Sequence, residues 1–475
     1  GYVTDALVKH YAARAKGGVG LIVTEVTTVE PTYTYLPGDM SIYDDSYIPG
    51  WKKLVDAVHQ YDTKILSQLF HPAYMAFPGT PQLIAPSNVG PYYAKSAPRE
   101  VTKEELKVIV KQFGEAALRF KKAGGDGVEI QAAHAHGLLG GFLTPLYNKR
   151  TDEYGGDIHG RLRLTLEVIE EVRKQCGRDF IIDVRISDGG LTLNDMIYVS
   201  KQLEKATVDF IHVSGGNTIK KGSSMPASGT APAPHKHASE EIKKHVSIPV
   251  ATVSRINEPW VADELIANGV CDACMIGRPN LCDSEFANKA KAGKIDEIRP
   301  CIGCGRCLTG IMFGKPISCT VNPAVEKEEI DEAPVKKKVL VVGGGPAGME
   351  AAYVAKKRGH EVVLCEQSDR LGGQLNIACV PIGKQEITKV VKYMKSQLTG
   401  VDVRLNTTVT KEMIENEFKD YEIITTVGAT PKEIEPYKVF KQTMTADDIL
   451  SGKKFPGRKI VIIGGGSVGC ETADY

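Results

Sequence analysis

Seven short runs of continuous apolar, β-branched residues, separated by helix-length stretches, dictate what residues 1–300 can become. The runs are Gly18–Val26, Lys64–Phe70, Gly127–Gln131, Phe180–Ser187, Phe210–Gly216, Pro249–Ser254 and Asp272–Arg278. A strand with one wet face alternates apolar and polar residues. These runs do not alternate, so both faces are covered, as in parallel strands flanked by helices. Thr102–Ala123 and Gly160–Gln175 carry helical periodicity between them. Seven βα units running one way, with an eighth strand expected ahead of Gly1, predict an α/β fold whose N-terminal part is a (β/α)8 TIM barrel. A doubly wound sheet is the alternative, but no glycine fingerprint follows any of these strands.

After residue 300 the character of the chain changes. Cys301, Cys304 and Cys307 fall in C-I-G-C-G-R-C, and Cys319 follows in S-C-T-V-N-P. C-x2-C-x2-C with a distant fourth cysteine is iron–sulfur spacing, because short loops bring several thiolates onto one cluster. Zinc is the rival four-thiolate ion, although zinc ribbons carry two separated C-x2-C knuckles. Cys271 and Cys274 also form C-x2-C, but at the start of a predicted strand. Positions i and i+3 of a strand point to opposite faces, so these two read as core residues. Cys176, Cys282, Cys365, Cys379 and Cys470 read as structural.

Beyond an acidic, proline-containing linker at Glu326–Val335, a predicted strand over Lys336–Val342 runs into Gly343-Gly-Gly-Pro-Ala-Gly348 and a helix. Gly343, Gly345 and Gly348 allow a tight turn, close approach of a pyrophosphate and close helix–strand packing. Glu366, near the end of the next strand, can accept a ribose hydroxyl bond. A second strand at Lys459–Ile463 and a second fingerprint, Gly464, Gly466 and Gly469, repeat the pattern without their acidic partner. Four parts result: a barrel at 1–300, an iron–sulfur segment and linker at 301–334, a Rossmann-like domain at 335–457, and the truncated start of another at 458–475. The chain begins without Met and stops just inside a helix, so it reads as an internal fragment.

Bulk properties exclude several classes. A net charge of +1 offers nothing to nucleic acid or an anionic membrane. No apolar run reaches the roughly 18 residues a membrane span needs. Eleven cysteines grouped at ligand spacing suit a reducing compartment, the cytoplasm, better than a disulfide scaffold. A homo-oligomer is compatible with this composition.

In the barrel, polar residues gather at strand C-termini, where barrel active sites lie. Gln68 and His71 end one strand, Gln131 and His134 follow another, and Arg185 sits inside a third. Arg255, Gly277 and Arg278 follow the last two strands, where barrels commonly bind phosphate. The polar segment Asn148-Lys-Arg-Thr-Asp-Glu-Tyr-Gly-Gly156 reads as an ordered loop.

Asn148–Gly156, Gln68-Leu-Phe-His71 and Ser254-Arg-Ile-Asn257 resemble the old yellow enzyme barrel. With the four cysteines and two glycine fingerprints, the whole chain is similar to that family's iron–sulfur branch, of the dienoyl-CoA reductase, enoate reductase and trimethylamine dehydrogenase type. Gly372-Gly373-Gln374 and Thr426–Pro431 also match, along the FAD path of such proteins. The resemblance implies FMN in the barrel, a [4Fe–4S] cluster held by Cys301, Cys304, Cys307 and Cys319, then FAD, then NAD(P)H. It implies electrons passing from NAD(P)H to FAD, through the cluster to FMN, and onward as hydride to the alkene of an α,β-unsaturated carbonyl. Gln68, Arg185, Arg255, Gly277 and Arg278 would contact FMN. An outward-running amine dehydrogenase is the alternative within the family, and a non-catalytic electron carrier is the alternative outside it.

One segment departs from the family pattern. Relatives read H-x-A-H/N-G-Y after the fourth strand, where two polar residues hold the substrate carbonyl and the Tyr protonates the α-carbon. This chain reads Gln131-Ala-Ala-His134-Ala-His136-Gly-Leu138. Gln131 and His134 are expected to polarise the carbonyl. Leu138 cannot donate a proton, which leaves His136, Tyr33, Tyr35, Tyr74 or water. The histidine expected in the loop after Phe210–Gly216 is not evident, and that loop runs through Gly222-Ser-Ser-Met-Pro226.

Overall fold

The structure is a computed structural model and describes residues 1–77, 80, 82–90, 97–217, 224–312, 314–325, 330–431 and 442–475. Part of the linker at Glu326–Val335 and the start of the Gly222–Pro226 loop lie outside the described residues. Two compact units form, Gly1–Gly293 with Gly305–Glu326 and Lys294–Cys304 with Lys327–Tyr475.

The continuous apolar runs of the first unit become strands β1 (Leu21–Thr28), β3 (Lys64–Phe70), β4 (Gly127–Gln131), β5 (Ile181–Ile186), β6 (Phe210–Val213), β7 (Val250–Val253) and β8 (Ala273–Met275). Each lies within a few residues of its expected bounds. A two-residue strand β2 (Met40–Ser41) lies beside β1. Every pairing is parallel, in the order β8-β7-β6-β5-β4-β3-β1-β2, the strand arrangement of a TIM-barrel wall. Register matters here, because opposed residues of parallel neighbours share a face. Gln68 opposes Glu129, Glu129 opposes Asp183, Gln131 opposes Arg185, and Arg185 opposes His212. Polar side chains of four strands are thereby stacked in adjoining rows.

Helices cover the other face of these strands. Helix α3 (Lys103–Lys122) starts at a reciprocal cap in which Thr102 accepts from the Glu105 N–H and Glu105 accepts from the Thr102 N–H. Its apolar stripe buries Phe113 and Phe120, the latter edge-on to Trp51 of α2 (Ile48–Val58) at 5.1 Å. The Trp51 indole N–H is not stranded by this burial, since it donates to the Ser41 carbonyl at 3.0 Å.

The Asn148–Gly156 segment is ordered by its own polar groups. Asn148 Nδ2 donates to the Phe142 and Tyr154 carbonyls at 2.8 and 2.7 Å. The Arg150 guanidinium, 3% exposed, pairs with Asp152 at 2.6 Å and donates to the Val101 carbonyl at 2.8 Å. One expectation fails in this unit. Cys271 and Cys274 do not point apart, and their sulfurs lie 3.8 Å from each other. Cys271 precedes β8, so the two-residue period of a strand does not apply to it.

The second unit holds a parallel sheet of β9 (Lys338–Val342), β10 (Glu361–Cys365), β11 (Asp402–Arg404) and β12 (Glu422–Thr425), in the order β11-β10-β9-β12. The glycine turn follows β9 and opens helix α9 (Pro346–Lys357), the expected Rossmann-like start. Arg299 clamps this unit internally through a two-bond pair with Glu350 and a stack over Tyr393 at 5.1 Å. The strand expected at Lys459–Ile463 does not form. Ile460–Ile463 are exposed, and among the described residues no strand takes their backbone hydrogen bonds, without which an apolar run has no reason to extend.

Arg150→Ala removes the nearer cation from Asp152, leaving Lys103 at 3.8 Å, and leaves the Pro86 and Val101 carbonyls without this donor. The expected cost is about 1–3 kcal/mol, read by denaturant unfolding.

Candidate active site

The strand C-termini of the first unit converge on a polar floor. Gln68 Nε2 donates to Glu129 Oε1, leaving the Gln68 carbonyl oxygen as an acceptor aimed elsewhere. Arg185 reaches Ser214 Oγ at 3.2 Å, while its Nε is buried with no partner among the described residues. A buried guanidinium N–H left over in this way fits an electron-rich ring edge such as the flavin pyrimidine, whose N–H would in turn suit the Gln68 oxygen. At the rim, Ser254 and Arg255 adopt φ of 89° and 53°, a left-handed turn that swings the arginine over the barrel end. Arg255 donates to the Thr230 carbonyl at 3.0 Å, and Arg278 to the Pro226 carbonyl at 2.9 Å. A Cβ on Gly277 would meet nothing within 4 Å, so the space beside these two cations is open to a phosphate.

The substrate side begins at the end of β4. The Gln131 oxygen accepts from the Ala133 N–H at 3.0 Å, which leaves the Gln131 amide as a donor. His134 is held at φ 65° by its N–H to Ser187 Oγ. Its Nδ1 lies 3.1 Å from the Gly216 carbonyl, which can only accept, so Nδ1 carries the proton and neutral His134 presents Nε2 as an acceptor. Burial, then the Arg185 charge, holds the His134 pKa well below its usual value. Gln131 is therefore ready to donate to a carbonyl, and His134 in this tautomer is not.

His136 packs edge-on against Tyr35 at 5.1 Å and tilted against Phe70 at 5.2 Å, with its Nε2 buried and unpartnered among the described residues. Burial and Arg185 push its pKa down to about 4. Leu138 is fully buried. Of the three tyrosines, Tyr74 spends its hydroxyl on the Ala135 carbonyl at 2.6 Å and Tyr33 donates to the Gln82 carbonyl at 3.1 Å. Tyr35 has no hydroxyl partner among the described residues, and burial raises its pKa and keeps the phenol protonated.

Sequence reasoning missed a third histidine. A Cβ on Gly215 would fall 1.9 Å from His235 Nδ1, so this ring lies directly over the end of β6, where a histidine was expected but not found. Its distance along the chain hid it, although the bare Gly215-Gly216 pair marks a close approach.

In the second unit the first fingerprint forms a tight glycine turn. Gly343 turns at φ 107°, and a Cβ on Gly348 would strike the Gly343 oxygen at 1.8 Å. Gly345, with only the Gly373 Cα at 4.0 Å, faces open space ahead of α9, whose first turn has no side-chain cap. Uncapped N–H groups beside a bare glycine suit a pyrophosphate. Burial would raise the Glu366 pKa, but bonds from the Ser368 and Gly344 N–H groups outweigh it and keep the carboxylate charged. Gln374 donates to the Ala429 carbonyl at 2.9 Å. The second fingerprint keeps its turn, with Gly464 at φ 109° and a Gly469 Cβ position 2.0 Å from the Gly464 oxygen, ahead of a helix that begins just after Gly466.

None of the eleven cysteines forms a disulfide. Cys301 and Cys304 belong to the second unit, Cys307 and Cys319 to the first. Four thiols outside disulfides are the donor chemistry of an iron–sulfur cluster. Cys282, read above as structural, brings its sulfur to 3.5 Å from that of Cys319.

A barrel rim fitted for FMN and a dinucleotide fold in one chain define a multi-cofactor flavin oxidoreductase. Residues 1–297 match the NADH:flavin oxidoreductase / NADH oxidase family, and residues 337–475 match the pyridine nucleotide-disulphide oxidoreductase family. The chain belongs to the NADH:flavin oxidoreductase / NADH oxidase family, in its two-flavin branch that uses FMN, FAD and NAD(P)H. It is 40% identical to an NADH oxidase of Thermoanaerobacter brockii, over 100% of this chain and 76% of that one. It is 36% identical to a cinnamate reductase of Clostridium sporogenes, over 98% and 75%. A solved 2-naphthoyl-CoA reductase with 2-naphthoyl-CoA superposes with a TM-score of 0.94 at 29% identity, over 100% of this chain and 76% of that one. A histamine dehydrogenase from Rhizobium sp. 4-9 gives 0.87 at 26%, over 96% and 70%.

Gly348→Ala drives a methyl into the Gly343 carbonyl and is expected to strip FAD while FMN is retained, as read by flavin release and chromatography. His71 and His136 both have folded pKa values near 4 against 6.5 for the free side chain. Between those values the unfolded chain binds protons that the folded chain refuses, so their stability contribution is full above about pH 6.5 and declines as pH falls. The expected slope is about 1.4 kcal/mol per pH unit for each histidine, measured by denaturant unfolding from pH 7 to 4.

Proposed function

We propose that this protein reduces the alkene of an α,β-unsaturated acyl compound, with electrons from NAD(P)H. The observation that carries the reading is the Tyr35 ring set against His136, with Gln131 paired in register to Arg185 on the neighbouring strand. The bound flavins, with an iron–sulfur cluster on Cys301, Cys304, Cys307 and Cys319, supply the electrons and the hydride. The protein supplies orientation and a proton.

The Gln131 amide N–H bonds the substrate carbonyl and stabilises the negative charge that develops on its oxygen. His134 takes the supporting part, accepting from a substrate or water donor through Nε2. The proton for the α-carbon comes from Tyr35, whose raised pKa keeps it loaded and whose ring lies against His136. Buried Leu138 and Phe70 make the surroundings of His136 apolar, which favours a flat aromatic acyl group. The cinnamate and 2-naphthoyl-CoA reductases among its relatives support that choice, both being named for aryl-conjugated acyl substrates.

Amine oxidation is the second reading, supported by the likeness to histamine dehydrogenase. An anaerobic assay of NADH and NADPH oxidation, with aryl-acrylates, enoyl thioesters, cyclic enones and amines, separates the two. Turnover of amines alone, with an artificial acceptor, would overturn the reductase reading. Tyr35→Phe is expected to lower alkene reduction about 10²-fold or more while NADH oxidation by an artificial acceptor is unchanged.

A further inference from the structure

Below the flavin floor lies a cluster that the proposed chemistry does not use. Glu129 and Asp183 oppose each other on β4 and β5, and neither has any solvent exposure. Oxygens of both, with a ring nitrogen of His212, lie within 4.8 Å of one another. Glu129 is well supplied with donors. Its Oε1 accepts from Gln68, and its Oε2 lies 2.7 Å from His212 Nδ1. Asp183 has the opposite problem, since neither of its oxygens receives a hydrogen bond from any described residue.

Two carboxylates side by side without water cannot both be ionised, because each raises the cost of charging the other. The donor count decides which keeps the charge. Glu129 has two donors and Asp183 has none, so Asp183 takes the proton, and its O–H becomes a third donor to Glu129. We propose that Glu129 and Asp183 hold one proton between them, and that this pair orients Gln68 toward FMN and sets the charge beneath it. Both are positioning residues, and the proposal rests on FMN occupying the site described above.

The tendencies of the individual groups agree. Burial and the neighbouring Glu129 charge raise the Asp183 pKa well above the carboxylate range. Burial would raise that of Glu129 too, but the hydrogen bond from His212 and the charge of Arg185 work against it, and Glu129 stays ionised. Burial lowers the His212 pKa, so that ring is neutral, with Nδ1–H donating and Nε2 unpartnered. The Arg185 cation and the Glu129 anion therefore cancel, with Asp183 and His212 neutral. His134 and His136, also held neutral by burial, add no charge from the loop above. A flavin on this floor feels Arg185 partly screened by Glu129. The Glu129 bond also fixes the Gln68 amide, so its oxygen and not its N–H meets the flavin N–H.

Two measurements test this in the holoenzyme. Infrared spectra of protein labelled with 13C-carboxyl aspartate should show one buried, protonated aspartic acid band that shifts with the label and is lost in Asp183→Asn. No such band in the wild type would overturn the proposal, whatever the variants do. In redox titrations at pH 7, Glu129→Gln should raise the FMN midpoint potential, because an anion is removed. Asp183→Asn should leave it near the wild-type value, because a neutral group replaces a neutral group. An equal positive shift in both variants would mean that both carboxyls were ionised. A stoichiometric divalent metal, found by elemental analysis and lost in Asp183→Asn, would put a cation where the proton is placed and also overturn the idea. Wild-type protein that releases no FMN on denaturation refutes the flavin reading instead, and the infrared band still reports on the proton.

Discussion

A charged Glu129 with no exposure to water is the interaction on which the flavin floor depends. Desolvating an isolated carboxylate costs several kcal/mol even after the protein relaxes, so donors must surround it. Parallel pairing provides them at once. Gln68 opposes Glu129 from one neighbouring strand and Asp183 opposes it from the other, while His212 reaches in from β6. A slip of one residue in any of these strands would turn its polar side chain outward and expose the anion to an apolar core. The register of the wall and the chemistry of its floor are thus one constraint, and Gln68 and Arg185 inherit their orientation from it.

The rim obeys a different rule. There the backbone, not the side chains, is forced into rare conformations. His134 and Ala135 have φ of 65° and 50°, and Ser254 and Arg255 have 89° and 53°. Left-handed conformations in non-glycine residues cost on the order of 1–3 kcal/mol each and persist only where the surroundings insist. The insistence is visible at the β4 end. Ser187 Oγ holds the His134 N–H, the His134 ring is tied to Gly216, and the Tyr74 hydroxyl pins the Ala135 carbonyl. Tyr74 is thus a structural clamp on the segment that follows β4. Its hydroxyl is committed to backbone and unavailable for proton transfer.

What was legible in the sequence follows from how local each signal is. Seven strands could be read because continuous β-branched runs report burial on both faces without reference to the rest of the chain. The first fingerprint could be read for the same reason, since Gly343, Gly345 and Gly348 answer to a turn only six residues long. Lys459–Ile463 looked just as strand-like and forms none, because a strand also needs a neighbour and none lies beside it among the described residues. His235 over Gly215, Cys282 against Cys319 and Asp183 against Glu129 were all invisible. Each depends on contacts between residues far apart in sequence, and single residues of these types more often serve the core.

The departure at Leu138 acquires a physical meaning from this geometry. A tyrosine at that position would put a hydroxyl in a fully buried setting at the start of a helix, where it would demand a partner. Leucine removes the demand and packs into the core. Of Tyr33, Tyr35 and Tyr74, the phenol without a hydroxyl partner among the described residues is that of Tyr35, carried on the loop after β1 with its ring 5.1 Å from that of His136. In the proposed reaction the acid thus sits on the β1 loop and not on the β4 helix, while the Gln131 oxygen keeps its bond from the Ala133 N–H. Leu138 therefore gives up the hydroxyl for core packing, and the proposed reaction draws its proton from outside this helix.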